Sequence, residues 1–423
     1  MEELVIHHHI PKEKEGAYYA LPFEVPSSVH TLTVSYEYPS EGRGVMKDLK
    51  PSNTVDLGLC NEKGEFLGWS GSARKSVFVS AQASTPGYLT CPVNKGTWQI
   101  LIGAYHIQEG GVDVTYTVRF ETAPAPAAPR WYVGDLHMHS TASDGVFSPC
   151  ELGETAKREG LDFIAVADHN NYAENLRLPE ISGVTFIPAV EWTHYKGHMN
   201  FFGVKAPFEN SFIANTEEEM RALIAHARGL GAVTSVNHPK CPICPYLWKD
   251  DTAFDLMEIW NGPYTPRNAR AVKWWHALLC AGRRIPVVGG SDFHKPGPLV
   301  KLGSPVTAVY ADSPSASHLL GAIRAGHAYV TESVKGPRVE LACGEAMQGD
   351  ETVYRPDIPV TVKTDASRVT FVTDRAEETI RVKNGEARFS AEGARFIYAK
   401  ITSALIPGRL LAISNPIYFK EET

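Results

Sequence analysis

Asp135-Leu-His137-Met-His139-Ser-Thr-Ala-Ser-Asp144-Gly145 decides how the rest of this chain reads. It continues a short apolar run, Trp131–Leu136, of strand character. On an extended segment, residues i and i+2 point to one side of the backbone. His137 and His139 can therefore reach one metal ion together. Asp144, held in a loop by Gly145, adds a hard oxygen. Asp135 either orients an imidazole from behind or caps the end of the strand.

The same event recurs further along the chain. The run Asp162–Ala167 leads into Asp168-His169-Asn170, and Thr185–Val190 leads into Glu191-Trp192. His198 opens the run Met199–Val204, Ala232–Val236 leads into Asn237-His238-Pro239, and Pro286–Gly290 leads into Ser291-Asp292-Phe293-His294. Asp255–Trp260 and Val306–Tyr310 complete the strand-like runs. Helices lie between several of them. Thr216 and Glu219 read as a capping box before Met220, Leu223, Ile224 and Ala227, and Gly229 and Gly231 close that helix. Pro266 fits a first-turn position, and Gly282 ends the helix that carries Ala271, Trp274, Trp275 and Leu278. Alternating strands and helices predict an α/β domain, a barrel whose strand termini converge on one face. A lone histidine beside a strand end is usually a satisfied core or surface residue, and Asp292 alone reads as a helix cap. Recurrence at six strand termini overrides that reading. Histidines with hard carboxylates and no cysteine suit Zn, Mn or Fe.

With these residues in view, the chain resembles the PHP superfamily, named for polymerase-associated and histidinol phosphatase domains. The resemblance rests on 135–145, Ala167-Asp168-His169-Asn170, Glu191, His198, Asn237-His238-Pro239 and Gly290-Ser-Asp292-Phe-His294, and covers 131–333. The flanking regions look like the carbaryl-hydrolase-like branch. The resemblance implies a distorted (βα)7 barrel with two or three divalent ions. His137, His139, Glu191 and Asp292 would hold one ion, and Glu191 would bridge to a second held by His198 and His238. Asp144, His169 and His294 would hold a third. Catalysis would centre on Glu191, Asp292 and His294, with a bridging water or hydroxide as nucleophile. It implies hydrolysis of a small organic phosphate ester, mono- or diester. A carbamate or carboxyl ester hydrolase with the same metals is the alternative, and a binding protein with a vestigial barrel is a third reading.

Around this centre, Lys295, Arg267 and Lys240 are candidates to bind a substrate phosphate. Trp192, His194, Asn261 and Tyr264 either line the pocket or pack. Cys241-Pro-Ile-Cys244 reads as a rigid loop beside His238; a Cys-x-x-Cys is otherwise redox-active or half a zinc site, no second one completes a four-cysteine site, and oxidation of this pair would shift His238. His7-His8-His9 is given no catalytic role.

Further outward, Thr-Ala-Pro-Ala-Pro-Ala-Ala-Pro-Arg at 122–130 reads as an extended linker. Residues 1–121 alternate, as in Gly111–Phe120, and predict a β-sandwich. Residues 336–423 predict a small second β domain. With 423 residues and 43% apolar composition, disorder is excluded as the main theme. A formal charge of -7 argues against a nucleic-acid or anionic-membrane partner; a homo-oligomer is allowed. Seven cysteines, an odd number, do not make a disulfide framework. The N-terminal stretch lacks a signal-peptide pattern, and no window reaches the ~18 apolar residues of a membrane span. A cytoplasmic location is expected.

Overall fold

Alternation governs the N-terminal region: in Val112–Thr122, Val112, Val114, Tyr116, Val118 and Phe120 are buried while Asp113 and Arg119 are exposed. The computed structural model describes residues 2–40, 53–81, 83–122, 128–249 and 254–420. Residues 123–127 of the stretch read as a linker lie outside them. The chain divides into two compact units, Met1–Ala127 and Ala128–Thr423.

The first unit has strands β1 (Glu2–Ile10), β2 (Tyr18–Val25), β3 (Val29–Glu37), β4 (Thr54–Cys60), β5 (Phe66–Gly71), β6 (Ser76–Ser80), β7 (Gly96–His106) and β8 (Val112–Thr122). They form two four-stranded antiparallel sheets, β1-β8-β3-β6 and β2-β7-β4-β5. Leu32, Val34 and Val118 of one sheet share a core with Leu57, Trp98 and Ile100 of the other.

The second unit carries a large mixed sheet. Its strands are β9 (Arg130–Met138), β10 (Phe163–Val166), β11 (Thr185–His194), β12 (Gly197–Phe202), β13 (Val233–Val236), β14 (Leu256–Asn261), β15 (Val287–Gly290), β16 (Val306–Ala311) and β17 (Ala328–Thr331). Among the described residues four α-helices intervene: α1 (Pro149–Glu159), α2 (Glu217–Gly229), α3 (Pro266–Cys280) and α4 (Ala316–Ala325). Ser148 and Glu151 form a reciprocal capping box on α1, and Gly160 ends it in the left-handed region. On α2, Thr216 accepts from the Glu219 N–H, but the Glu219 carboxylate reaches past it to the Asn215 N–H at 2.6 Å. The expected box is therefore stretched by one residue. Pro266 occupies the first turn of α3.

Strands β9, β10 and β11 run parallel, β12 is antiparallel to both β11 and β13, and β13, β14 and β15 are again parallel. One reversal in an otherwise parallel set puts the start of β12 beside the ends of its neighbours. That is why His198 sits at the beginning of a strand while the other candidate donors sit at ends. The sheet is one ladder from β15 through β9 to β16 and β17, with a short seam between its distant members. There the Asp292 N–H donates to His137 O at 2.8 Å and the His139 N–H to Phe293 O at 2.9 Å. Gly290 lets the two segments meet, since a Cβ there would lie 2.4 Å from the His137 Cβ.

The C-terminal strands continue the same sheet. Strand Leu410–Ser414 pairs with β17, Phe396–Thr402 pairs with Leu410–Ser414, and Arg368–Thr373 pairs with Phe396–Thr402. A separate four-stranded antiparallel sheet from 340–389 packs in the same unit. Asn415, fully buried, bonds the Val287 N–H and C=O and the Ala328 C=O, tying β15 to β17. Among the described residues no helix is long and apolar enough to cross a membrane.

Candidate metal centre

Every strand terminus singled out above delivers its side chain to one place. Glu191, at 1% exposure, is the hub. Its carboxylate faces His137 Nε2 at 3.3 Å, His139 Nε2 at 3.6 Å, His169 Nδ1 at 2.8 Å, His198 Nδ1 at 3.2 Å and His238 Nε2 at 3.3 Å. Asp292 Oδ1 lies 3.4 Å from His137 Nε2 and 3.2 Å from His139 Nε2. Asp144 Oδ1 lies 3.6 Å from His169 Nε2 and 3.3 Å from His294 Nε2. Five overlapping groups result: His137 with His139 and Glu191, His137 with His238 and Asp292, His169 with Glu191 and His198, His198 with His238 and Cys244, and His139 with Asp144, His169 and His294.

The arrangement fits cations better than it fits hydrogen bonds. Ligands ~2.1 Å from a tetrahedral ion are about 3.4 Å from one another, the separation most of these pairs display. The imidazole of His137 donates its Nδ1–H to Glu258 Oε1 at 2.9 Å. Its Nε2 faces two carboxylates and has no hydrogen-bond partner. His139 Nδ1 is likewise buried without a partner. Buried polar atoms in native structures are almost always satisfied, so this cluster asks for positive charge. The titration behaviour agrees. Burial works against a proton on His137, yet Glu258, Asp292 and Glu191 raise it well above the ordinary imidazole value. Burial likewise opposes the Glu191 charge, but His137, His169 and His198 hold the carboxyl well below its usual range. Several groups of His, Glu and Asp donors are therefore placed to hold divalent ions.

The backbone is bent to make this possible. His238 (φ 29°), Asp292 (φ 52°) and Asn170 (φ 48°) adopt left-handed conformations that side chains with a Cβ seldom occupy. Such outliers collect where function over-determines the chain. A Cβ on Gly145 would come within 2.1 Å of His139 O, so only glycine lets the Asp144 loop fold back.

The outer partners are more varied than the sequence suggests. Asp135 is fully buried and touches no imidazole; it accepts from the backbone N–H groups of His137 (3.2 Å), Ser291 (2.9 Å) and Gly303 (2.8 Å). Burial pushes its carboxyl up to about 6, against those bonds. Asp135 thus fastens the seam. The imidazole-orienting part falls to Glu258, which also accepts from the His238 N–H at 2.9 Å and Asn261 Nδ2 at 3.1 Å. Glu258 was legible as a lone carboxylate inside Leu-Met-Glu-Ile-Trp. Asn237 Nδ2 donates to Glu191 Oε1 at 2.8 Å, and Asp168 gathers Ser140 and Ser143 beneath the Asp144 loop. Cys244, left outside the expected donor set, groups with His198 and His238.

The substrate-binding candidates separate. Lys295 is exposed directly after His294. Arg267 is half-buried, with Nη2 donating to Asn261 Oδ1 at 2.8 Å, so it joins the centre through Asn261 and Glu258. Lys240 lies over the Trp274 ring, 3.9 Å from its centroid, and is engaged there rather than at the centre. Trp192 is wholly buried, its Nε1–H donating to Phe212 O at 2.8 Å; it packs in the core and lines no mouth. Tyr264 borders a cleft of about 560 Å³ with Trp260, Leu299, Ile406 and Arg409. The cleft-forming loops follow β14, β15 and β17, the same end of the sheet as the donors. His7 and His9 lie on β1 in the other unit.

No family model matches the chain. A stretch of 39 residues, 9% of this chain, is 51% identical to part of the DNA polymerase/3'-5' exonuclease PolX of Bacillus subtilis and covers 7% of it. A 39-residue stretch is 54% identical to part of a 5'-3' exoribonuclease of Haemophilus influenzae and covers 14% of it. The chain thus spans a small share of the curated relatives it matches. Among solved structures, a two-domain protein from Bacteroides vulgatus containing a predicted PHP-like metal-dependent phosphoesterase aligns with 70% of this chain and 99% of its own, at 17% identity and TM-score 0.41. An amidohydrolase from Chromobacterium violaceum aligns with 40% of this chain and 89% of its own, at 16% identity and TM-score 0.30.

Proposed function

We propose that this chain is a metal-dependent phosphoesterase of the PHP type, acting on a small organic phosphate. In this reading β9–β15 form the distorted barrel, closed by the seam at His137–His139. The observation that carries it is the buried Glu191 carboxylate faced by five imidazoles, with His137 Nε2 unpartnered beside it. His137, His139, Glu191 and Asp292 would hold one ion, Glu191, His198 and His238 a second, and Asp144, His169 and His294 a third. Zn, Mn or Fe bound there would supply a nucleophile from water near neutral pH and offset negative charge developing on oxygen.

The chain's own residues divide the remaining work. Glu258 and Asn237 orient His137 and Glu191 from outside. Asp135 keeps the two ligand segments in register. Asp144, with its side chain 58% exposed, and His294, 30% exposed, form the open side. A substrate phosphate would enter there, within reach of the loop that carries exposed Lys295. The shared stretch with a polymerase-associated exonuclease and an exoribonuclease supports phosphoester chemistry. The full set of donors speaks against a vestigial barrel that merely binds.

A carbamate or carboxyl ester substrate is the second reading, favoured by the apolar ring of Trp260, Tyr264, Leu299 and Ile406 around the neighbouring cleft. The deciding assay uses protein reconstituted with Zn, Mn or Fe against phosphate monoesters, diesters and short oligonucleotides, and in parallel against aryl carbamates and carboxyl esters. Chelator-sensitive phosphate ester cleavage is expected. Carbamate turnover without it would move the protein to the second reading. Silence in all arms with metal bound would overturn the enzymatic reading.

A further inference from the structure

Three histidines of the centre share one pattern. His137, His238 and His294 each turn Nε2 toward the carboxylates and engage Nδ1 with an outer partner. For His137 that partner is the Glu258 carboxylate at 2.9 Å, and for His294 it is the main-chain O of Asp292 at 2.9 Å. For His238 it is a sulfur, Cys244 Sγ at 3.6 Å. A ligating imidazole needs its second nitrogen held, because that bond fixes tautomer and ring plane. Sulfur is a weak acceptor and, unlike either oxygen, can be oxidised.

The surroundings make this sulfur part of a pair. Cys241 and Cys244 lie three residues apart on one loop, anchored by the Cys241 N–H on His238 O at 2.8 Å. Cys241 is 5% exposed and Cys244 half-buried. Arg267 Nη1 approaches Cys241 Sγ at 4.0 Å. The sulfur that touches His238 is thus the accessible one, with a second thiol behind it.

We propose that Cys244 is the positioning residue for His238, and that its oxidation to a disulfide with Cys241 releases that imidazole and loosens the metal it holds. The inference rests on reading the centre as a metal site. In the oxidative step each thiol gives up one proton and one electron, one S–S bond forms, and a two-electron oxidant of the diazene class takes up both protons and both electrons.

The test measures Zn retained by the full-length protein in competition with a chromophoric chelator, so no substrate is involved. Cys244→Ala is expected to weaken retention at one site by about 10–100-fold, the usual cost of losing an outer partner. Cys244→Ser, which keeps an acceptor at that place, is expected to recover most of it. Diamide is expected to weaken wild type as Cys244→Ala does, with dithiothreitol restoring it, and to leave Cys241→Ser unchanged. Wild-type retention in Cys244→Ala would overturn the positioning role, and equal diamide sensitivity in Cys241→Ser would overturn the disulfide. An intense near-ultraviolet sulfur-to-metal band in the Co-substituted protein, lost in Cys244→Ser, would make the sulfur a direct ligand and overturn the proposal. Stable Zn with no phosphate ester cleavage would sink the proposed function and leave this inference standing. A wild-type protein that takes up none of Zn, Mn or Fe would end both.

Discussion

His7 and His9 on β1 repeat the spacing of His137 and His139 at the end of β9, yet the two pairs have opposite surroundings. In the N-terminal unit, β1 pairs only with β8 among the described residues. His7 Nδ1 meets Thr115 Oγ1 at 3.2 Å, and His9 Nδ1 meets Asp113 Oδ1 at 2.7 Å, both on an exposed face. In the second unit His137 and His139 have no exposed surface, and carboxylates arrive from β11 and from the segment after β15. Spacing on a strand only lines up two imidazoles. A metal centre needs acids delivered from distant chain segments and burial deep enough to make an unfilled site costly.

The largest expected effect breaks the hub that β1 lacks. Glu191→Gln should abolish turnover and weaken metal binding by more than about 100-fold, beyond the range for outer partners; metal analysis after gel filtration and a rate assay check it. Chelation of the wild-type protein comes next. A ligand present at ~1,000 times its Kd stabilises the native state by ~4 kcal/mol, so stripping the centre should lower Tm by about 5 °C or more, read by scanning calorimetry. Glu258→Gln should cost roughly 10–100-fold in metal affinity while Tm of the metal-free protein stays near wild type. A wild-type affinity would remove Glu258 as the orienting group. The smallest effect sharpens the contrast from the other side: the double change His7→Ala, His9→Ala should leave bound metal unchanged and move Tm by no more than about 1 °C. Loss of metal in that variant would mean that β1 also binds it.

Much of the centre was legible because its donors sit at strand ends, where apolar runs stop abruptly at His, Asp or Glu. The strand runs from 131 to 310 all recur in the structure, shifted by a few residues. Partners that come from elsewhere were hidden. The Asp135 carboxylate meets backbone N–H groups 156 and 168 residues away, and nothing local to Asp135 announces that. The Cys-x-x-Cys after His238 announced a link to that histidine, but that Cys244 Sγ itself meets His238 Nδ1 depends on how the loop folds back. Lys240 looked available because no sequence pattern reveals the Trp274 ring beneath it. The continuity of the sheet through β17 into the strand Leu410–Ser414 was hidden for the same reason: it depends on which edges meet, and the local pattern of a strand does not name its neighbour.

Asn415 makes one arm of the centre depend on a late part of the chain. Its side chain completes the hydrogen bonding of β15, the strand that launches Asp292 and His294, across a separation of 128 residues. A nascent chain still short of residue 415 lacks that brace. If the cluster binds metal as proposed, ribosome-stalled chains ending before and after Asn415 are expected to differ in the number of ions they retain.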